Sequence, residues 1–518
     1  MYVSVSRYKN YQRVRIIQKQ KIDGVFKSKL VEHIGSARNE TDLLFLKEKA
    51  RQRIIELSPQ LSLLDESSNP STSSDSQPLE LRDPFAYGLW QVMGGIYNQL
   101  DLPDNLLKYL VLARTAIPKS KRATVRYLMD NLRCSTTLTD VYRFMDTIDK
   151  DQLTTILLAY AQKQAQSQDR STISVVFYDV TTLYFETNED DEDTINLETG
   201  EVTATGLRKK GYSKDHRYDL PQVVVGLTVN GNGFPLDFQV YEGNTYEGHT
   251  LLSGIEKICT KLQLASSKLT VVADAGMLSR ANLEVLEAQG FRYIVGARIR
   301  SLATDTAEQI TSWNYAERGN LDTTIAGRRM IVTYSHKRAE RSHKNRERLV
   351  KKLQAKLNRG QVVKKSKYVL LDNNKKLTGQ IDQAKLIADA SFDGLKGYVT
   401  NTTLPADKVV THYSNLWHVE KSFRMSKSDL QARPTFHFKR NRIIAHLTIC
   451  VCALGVLRLF EEQLNTKLPG VGLSVALEQL LAVREYKAFL NGTVQITSIT
   501  QLTDLQRQLL KLRNIRQV

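Results

Sequence analysis

The chain has 518 residues, of which 41% are hydrophobic and 25% are charged. This balance is typical of a folded protein and excludes a mostly disordered chain, and the length is enough for about three domains. Lys and Arg number 73 against 55 Asp and Glu, a formal net charge of +18. Such an excess indicates a polyanionic partner. Nucleic acid is the leading candidate, although ribosome-associated and membrane-surface proteins share this charge balance.

Targeting and membrane-spanning segments are not expected from the sequence. The first residues, MYVSVSRYKN, contain no apolar run, so we expect a cytoplasmic protein without a secretory signal or lipid anchor. The most apolar stretch, residues 443–460, is interrupted by His446, Thr448 and Arg458 and is predicted to be a buried core helix. The four cysteines lack metal-ligand spacing and are interpreted as reduced core residues.

The N-terminal residues are predicted to form a small β element followed by a helix. Residues 1–35 alternate β-branched and basic residues around a hairpin signal at Asp23-Gly24. Residues 40–57 carry apolar residues at helical spacing among Lys, Arg and Glu, which indicates an amphipathic helix.

A linker and a helical region are predicted next. Residues 58–83 are rich in Ser, Pro and Asp and have little apolar area to bury. Residues 84–168 have an almost wholly helical pattern, and we interpret them as a DNA-binding region. The helices that flank Cys134 are either a helix-turn-helix or simply packed helices, and the pattern leaves both open.

From residue 174 the pattern changes to strands. β-branched and aromatic runs over residues 174–185, 222–230 and 234–241 predict three successive strands. Helix, strand, helix and strand follow between residues 250 and 297. The order βββαβαβ is that of the ribonuclease-H-like fold, although other α/β folds also begin with a meander.

Three carboxylates stand out in this pattern. Asp179 lies in the middle of the first strand, and Asp274 ends the apolar strand of VVADAG, where a carboxylate can face a cleft. Glu420 lies in a predicted helix with Tyr413 and Lys427 seven residues to either side, so the three share one face within about 40°. Converging carboxylates hold the divalent cations that serve phosphoryl transfer on DNA.

Each of these positions also has an ordinary structural explanation. An Asp in a strand is often a solvated edge residue, and an Asp before Ala-Gly is often a turn residue. Glu420 and Lys427 can be surface residues of an amphipathic helix, with Tyr413 a half-buried aromatic. The functional interpretation is preferred because the combination is improbable by chance.

The segments around these residues resemble those of one enzyme family. FYDVTTLYFE (Phe177–Glu186) and VVADAGMLSRANL (Val271–Leu283) are similar to the first and second Asp motifs of DDE-type insertion-sequence transposases. YSNLWHVEKSFRMSKSDLQARPTFHFKRNRIIAH (Tyr413–His446) resembles their Tyr-Arg-Glu-Lys signature region, and GYSKDHRYDLPQVVVGL and FPLDFQVYEGNTYEG are also similar. The resemblance covers residues 174–300 and 392–446. It is to the family-four-like group with a long N-terminal region and a long gap before the Glu.

The resemblance implies a DNA transposase that cleaves insertion-sequence ends and transfers their 3′ hydroxyl ends to target DNA. Asp179, Asp274 and Glu420 would be the catalytic residues and would bind two Mg²⁺ ions, for which Mn²⁺ is also suited. The partner would be double-stranded DNA, both transposon ends and target, bound by a homodimer and associated with the bacterial nucleoid.

The resemblance also implies DNA contacts near the cleavage site. Tyr413 and Lys427 would contact the transposon end. Leu416 occupies the place of the signature Arg, which puts that contact in doubt, and Arg424, one turn beyond Glu420, is the alternative phosphate contact.

The long interval between Asp274 and Glu420 implies an inserted domain. Strands are predicted over residues 313–334 and 361–371, with a basic helix over 336–359 between them, and the family resemblance suggests a largely β insertion that grips the transposon end. This helix is either a solvated basic face or a phosphate-binding surface, and we favour the latter. Its candidate DNA-binding residues are Lys344, Arg346, Arg348, Lys351 and Lys352.

The sequence thus predicts a ribonuclease-H-like α/β catalytic core with a mostly β insertion domain and a helical N-terminal DNA-binding region. The predicted parts are residues 1–60 (β element and helix), 61–83 (linker), 84–168 (helical DNA-binding region), 171–300 (first part of the core), 301–391 (insertion domain), 392–446 (second part of the core) and 447–518 (helical C-terminal region). Two alternatives stay open: a nuclease of the same fold that never joins strands, and a domesticated transposase that only binds DNA.

Overall fold

The structure, a computed structural model, falls into two units, residues Met1–Ser76 and Gln77–Val518, which are described separately. The residues it describes are 2–7, 12–22, 25–37, scattered positions between 42 and 53, 80–167, 174–196, 199–214, 216–276, 279–359, 367–371, 377–432, 437–490 and 493–512.

The first unit contains an antiparallel three-stranded sheet. Its strands are β1 (Tyr2–Arg7), β2 (Gln12–Ile22) and β3 (Val25–Ala37), in the order β1-β2-β3. Ile22 pairs with Val25, while the predicted turn residues Asp23 and Gly24 lie outside the described residues. Most of the helix predicted over residues 40–57 and most of the predicted linker also lie outside them, and the end of that linker forms β4 (Glu80–Phe85).

In the second unit, helices occupy most of the stretch before residue 168. They are α1 (Tyr87–Gln99), α2 (Leu106–Ala116), α3 (Lys121–Leu132), α4 (Leu138–Asp146) and α5 (Lys150–Ser167). Ser120 and Thr137 cap α3 and α4, as hydroxyl side chains commonly do at helix N-termini.

A mixed eight-stranded sheet forms the centre of this unit, and a single hydrophobic core joins it to the helices. Its order is β12-β13-β16-β11-β10-β5-β8-β9. The strands are β5 (Val175–Tyr184), β8 (Gln222–Val229), β9 (Pro235–Glu242), β10 (Thr270–Ala273), β11 (Arg292–Ala297), β12 (Leu321–Ile325), β13 (Arg328–Tyr334) and β16 (Leu395–Thr400). A separate hairpin pairs β6 (Thr194–Ile195) with β7 (Val202–Ala204).

The part of the sheet predicted as βββαβαβ has that order in the structure. β5, β8 and β9 are antiparallel neighbours, whereas β10 runs parallel to both β5 and β11. The two crossover helices are α6 (Thr250–Leu262) and α7 (Arg280–Ala288). Every residue of β8 and β10 is buried, which explains why their sequences are apolar runs without alternation.

The prediction of a mostly β insertion is wrong. Between β11 and β16 the described helices are longer in total than the strands. The helices are α8 (Thr304–Ser312), α9 (Tyr315–Arg318), α10 (His336–Asn358) and α11 (Gln383–Ala390). Of the strands, β12 and β13 extend the central sheet, and only β14 (Val369–Leu371) and β15 (Leu377–Ile381) pair apart from it. The finer domain boundaries predicted within residues 84–518 stay a prediction.

After β16 the chain becomes helical. Its elements are α12 (Ala406–Ser414), α13 (Trp417–Arg424), a π-helical turn (Met425–Asp429), α14 (Arg440–Lys467), α15 (Leu473–Ala482) and α16 (Asp504–Lys511). Helix α14 is long and apolar enough to cross a membrane, but 94% of its most apolar window is buried inside the protein. The prediction of a buried core helix over residues 443–460 is therefore confirmed.

The C-terminal region, which was predicted to be helical, also contains two strands. β17 (Glu485–Leu490) and β18 (Thr493–Ile499) form an antiparallel hairpin, and β17 also pairs with β4. The hairpin therefore joins a sheet with the strand that precedes α1.

Candidate active site

The strand register brings Asp179 and Asp274 together. Val272 of β10 pairs in parallel with Phe177 of β5; Asp179 lies two residues further along β5, and Asp274 lies two residues after Val272, directly past the end of β10. Because side chains alternate along a strand, the two carboxylates project to the same side from adjacent strands about 4.8 Å apart. The two Asp motifs are far apart in the sequence but adjacent in the sheet.

The Asp179 carboxylate lies in a crowded and charged environment. Its Oδ1 accepts a hydrogen bond from the Val180 amide at 2.7 Å, and the ammonium group of Lys214 is 3.9 Å away. The pKa of Asp179 is raised to about 6, chiefly by burial; the charges of Glu247 and Asp274 add to this rise, while Lys214 and the Val180 amide oppose it. Negative charge is thus concentrated here beyond what Lys214 neutralises.

Glu247 is a fourth carboxylate at this site and was missed in the sequence. It begins a short 3-10 turn, Glu247–His249, that leads into α6. Its Oε1 lies 3.1 Å from the Lys214 ammonium, yet this buried oxygen has no hydrogen bond of good geometry. Lys214 and Glu247 both fall in segments that resemble the transposases, and that resemblance was the available signal.

Tyr413 holds Asp274 in place. Its hydroxyl donates a 2.9 Å hydrogen bond to Asp274 Oδ1, which also accepts from the Ala275 amide at 2.8 Å. The Tyr413 ring is buried and packs edge-on against Tyr398. A Cβ atom at position 296 would lie 2.6 Å from the Tyr413 hydroxyl, so glycine is required for this approach. Burial and the Asp274 charge raise the pKa of Tyr413, which keeps it a donor.

Glu420 faces the same region from α13 and is exposed to solvent. Its charge and that of Asp274 both raise the pKa of Lys396, although burial and Arg338 lower it more strongly. The Lys396 ammonium also lies 4.4 Å from the centre of the Tyr413 ring. The structure therefore places Asp274, Glu420 and Tyr413 around one lysine that sequence reasoning did not identify.

The single helix expected to carry Tyr413, Glu420 and Lys427 is divided in the structure. Tyr413 lies in α12, Glu420 in α13 and Lys427 in the π-helical turn. Leu416, at the place of the signature Arg, is buried at the start of α13. The shared face is therefore lost: Tyr413 points inward, and Lys427 lines a small cavity of about 30 Å³ with Phe423 and Cys450.

The remaining predicted DNA contacts differ in their surroundings. Arg424 is exposed on α13. On α10, Lys344, Arg348, Lys351 and Lys352 are exposed, whereas Arg346 forms a two-pronged ion pair with Asp393, one contact of which is 2.7 Å. This pairing argues against Arg346 as a DNA contact, because its guanidinium group is already occupied.

The donor chemistry of the site suits a divalent cation. Among the residues that the structure describes, no three His, Cys, Asp or Glu side chains are close enough to hold a metal ion unaided. Mg²⁺ does not require such a cage, because it keeps several waters and takes one or two carboxylates together with substrate phosphate oxygens. Asp179 and Asp274 supply hard oxygen ligands from rigid strands, and the charge crowding around Asp179 favours a bound cation.

Comparison with known proteins gives the class. A model of the transposase DDE domain matches residues 170–456, more than half of the chain. The chain therefore belongs to the family of transposases with a DDE domain. No curated protein matches it in sequence.

Similarity to solved structures is low. A piggyBac transposase synaptic complex with hairpin DNA is 9% identical, with a TM-score of 0.35 over 83% of this chain and 80% of that one. A pre-cleavage Mos1 transpososome is 11% identical, with a TM-score of 0.15 over 48% of this chain and 67% of that one. A Mos1 mariner paired-end complex with Mn is 12% identical, with the same TM-score and coverage. At these scores the family assignment rests on the domain match alone.

Proposed function

We propose that this transposase cleaves the ends of an insertion sequence and transfers the freed 3′ hydroxyl ends to target DNA, with Asp179, Asp274 and Glu420 as catalytic carboxylates. The observation that carries the proposal is the register of β5 and β10, which sets Asp179 and Asp274 side by side. Lys396 links Glu420 to the same region, since its pKa responds to both Asp274 and Glu420.

We further assign the core to the ribonuclease-H-like fold. The strand order β9-β8-β5-β10-β11 supports this assignment, with an antiparallel meander on one side and two parallel strands on the other. Catalytic carboxylates on neighbouring central strands then face the DNA from the most rigid part of the molecule.

Asp179, Asp274 and Glu420 would hold two Mg²⁺ ions as the working cofactor, for which Mn²⁺ would be a substitute. Bound divalent cations would activate the attacking oxygen and stabilise the leaving oxygen of the phosphodiester. The chain's own residues preorganise this site: β5 fixes Asp179, and the Tyr413 hydroxyl fixes the rotamer of Asp274. Lys214 and Lys396 partly neutralise the carboxylates, which limits their mutual repulsion before an ion and DNA arrive.

We assign the chain to the family-four-like group with the Tyr-Arg-Glu-Lys signature, with Leu416 as a departure. Exposed Arg424, Lys344, Arg348, Lys351 and Lys352 are proposed DNA contacts. We also propose a homodimer on paired ends and a cytoplasmic location. The inward direction of Tyr413 changes its proposed role from contacting DNA to orienting Asp274.

The test is cleavage and joining of DNA that carries the element's own ends, with Mg²⁺. Wild type is compared with Asp179→Ala, Asp274→Ala and Glu420→Ala. Glu284→Ala is the matched control, since Glu284 is a partly exposed carboxylate on α7 that pairs with Arg280. We expect wild type and the control to cut and join, and the three variants to bind DNA without doing either.

Other outcomes separate the alternatives. Cleavage without joining of pre-cut ends would indicate a nuclease. Binding without any cleavage by wild type would indicate a DNA-binding protein. Full activity in one of the three variants would show that this carboxylate is misassigned.

A further inference from the structure

A second charged site lies on the helical side of the molecule. A cavity of about 160 Å³ is enclosed by the end of α2, the start of α3, α4, the start of α14 and the chain that follows the π-helical turn. Its lining includes Arg114, Lys121, Tyr142, Gln431, His437 and His446, and we call it the basic cavity. A space of this size accommodates several waters or one phosphate group.

The basic side chains of this cavity are deeply buried. Arg114 and Lys121 are each 5% exposed, and His446 is 4% exposed. The Lys121 ammonium, which has only donors, lies 3.3 Å from Nδ1 of His446, so that Nδ1 is the acceptor. Nε2 of His446 then carries the proton and faces the Ala432 carbonyl at 3.4 Å, which makes His446 neutral and leaves it unable to offset the lysine charge.

No described residue that lines the cavity is acidic. Among the residues that the structure describes, the Arg114 guanidinium donates to the Leu430 carbonyl alone, at 3.4 Å. Asp146, at the end of α4, is held by Arg442 at 2.7 Å. Burial, together with the Arg114 charge, lowers the pKa of Lys121 to about 7, so positive charge at this position is costly without an anion.

The start of α3 also carries positive charge without an acidic residue in the same turn. Lys121 and Arg122 occupy its first turn, which contains no acidic residue. The unpaired amides at a helix N-terminus favour negative charge, so two cations there oppose the helix dipole. Ser120 already accepts a hydrogen bond from the Ala123 amide. An anion in the cavity would therefore serve chiefly to neutralise Lys121 and Arg114 together.

We propose that the basic cavity binds a phosphate group of the DNA backbone. The cavity opens beside Lys119 and Arg122, which are exposed, so the positive surface continues outward from it as a polyanion requires. A free phosphate ion has the same chemistry and would occupy only the interior. This inference rests on the proposed function for the identity of its DNA, and it adds a contact outside the carboxylate site.

The location of the cavity relates this contact to the catalytic helix. Gln431 and His437 lie on the chain that leaves α13 through the π-helical turn, and α13 carries Glu420. A phosphate bound by Lys121 and Arg114 would therefore lie close to the chain that continues from the catalytic helix.

The test compares DNA binding by the full chain and by Lys121→Gln, with EDTA present so that catalysis does not enter. Arg126→Gln is the matched control, because Arg126 lies on the same helix but its side chain is 87% exposed. Lys121→Gln should weaken binding to end-bearing duplex about 10-fold and reduce the salt-dependence slope by about one. Arg126→Gln should leave both nearly unchanged.

Thermal unfolding separates phosphate binding from a structural role. Without DNA, Lys121→Gln should melt at a higher temperature than wild type, because it removes a buried charge. A lower melting temperature with an unchanged salt slope would overturn the proposal and make Lys121 structural. Arg114→Gln is the second variant, and its slope should also fall by about one.

Inorganic phosphate distinguishes the two sources of the anion. It should raise the melting temperature of wild type but not of Lys121→Gln. If phosphate does so while DNA binding and its salt slope are the same in both proteins, the DNA assignment is overturned in favour of a free anion. If the salt slope of DNA binding differs between wild type and Lys121→Gln, but wild type never cleaves DNA, only the proposed function is contradicted. Cleavage without any slope difference would contradict this inference only.

Discussion

The carboxylate site (Asp179, Glu247, Asp274 and Glu420) and the basic cavity carry opposite charges but are built alike. Each gathers like charges on rigid elements, the first beside the central sheet and the second between helices. The two sites differ in whether residues of opposite charge accompany them. Lys214 and Lys396 accompany the carboxylates, whereas no acidic residue lines the described part of the basic cavity.

Under the two proposals, this difference determines the state in which each site would meet its ligand. Two lysines make the carboxylate site tolerable before a cation arrives. In the basic cavity the pKa of Lys121 is about 7, so Lys121 is only partly protonated at neutral pH. Under the proposal, it would become fully protonated when the anion binds. Under the two proposals, both arrangements would reduce the stability of the free protein and favour binding, as is common where local rules of folding are broken.

The largest expected effect is loss of catalysis on removal of one carboxylate charge. Asp274→Asn should lower the rate of end cleavage about 1,000-fold or more, equivalent to about 4 kcal/mol, because the ligand charge is lost while the hydrogen bond from Tyr413 can remain. Binding to DNA in EDTA should not weaken. Cleavage rates and binding isotherms check this, and a parallel loss of both would show that Asp274 is a structural residue.

The two sites should also respond to pH in opposite directions in metal-free protein. The pKa of Asp179 is raised by burial from 3.8 to about 6, so its proton stabilises the folded state. This contribution is complete below about pH 4 and is lost as the pH rises through 6, on the order of 2 to 3 kcal/mol. Urea unfolding in EDTA should show this loss in wild type and not in Asp179→Asn.

For Lys121 the pH dependence of folding stability has the opposite sign to that of Asp179. Burial and Arg114 lower its pKa from 10.5 to about 7, with His446, His437 and Cys450 as the other titratable groups at hand. The contribution of neutral Lys121 to the free energy of unfolding is fully present above pH 10.5 and is lost as the pH falls through 7. The stability difference between Lys121→Gln and wild type should therefore grow from pH 9 to pH 7. A difference independent of pH would show that Lys121 keeps an ordinary pKa.

The positioning of Asp274 should have an intermediate effect. Tyr413→Phe removes one hydrogen bond to a carboxylate, and we expect a 10- to 100-fold drop in cleavage, about 1.5 to 3 kcal/mol. Gly296→Ala should cause a similar drop, because its Cβ would displace the Tyr413 hydroxyl. The two effects should not add in the double variant, since both act on one hydrogen bond. Additive effects would show that Gly296 acts elsewhere.

The smallest effects are expected on α10. Lys351→Gln with Lys352→Gln should reduce the salt slope of DNA binding by about two, with little change in stability. Arg346→Gln should instead lower stability by about 1 to 3 kcal/mol and leave the slope unchanged, because it breaks the ion pair with Asp393. If the salt slope of DNA binding changed in Arg346→Gln but not in the Lys351→Gln, Lys352→Gln variant, Arg346 would be the DNA contact and the two lysines would not.

The central strands were predictable because β5, β8 and β10 are β-branched or apolar runs bounded by turns. Motif similarity predicted that Asp179 and Asp274 belong to one site. That the two lie at equivalent positions on adjacent strands is known only from the structure of the sheet. Glu247 and Lys214 could not be found from periodicity, because neither lies in a regular element and their contact spans distant segments. Lys396 was missed for a similar reason, since it lies in a short strand beyond the insertion.

Three errors have identifiable causes. The break between α12 and α13 was missed because apolar spacing continues across it through buried Leu416. The mostly β insertion came from the family resemblance together with the strands predicted over residues 313–334 and 361–371, whereas the described residues of the insertion are largely helical. The C-terminal hairpin was overlooked although Asn491-Gly492, a strong hairpin signal, separates its two strands.

The most direct test of the central claim, that these carboxylates bind the catalytic cation, is cleavage by Asp274→Cys with Mg²⁺ and with Mn²⁺. A thiolate is a poor ligand for Mg²⁺ and a better one for Mn²⁺. The expected result is near-complete loss with Mg²⁺ and recovery of at least about 10-fold with Mn²⁺, while Glu284→Cys behaves as wild type with both ions. Activity of Asp274→Cys that equals that of wild type with both ions would contradict direct binding of the cation by Asp274.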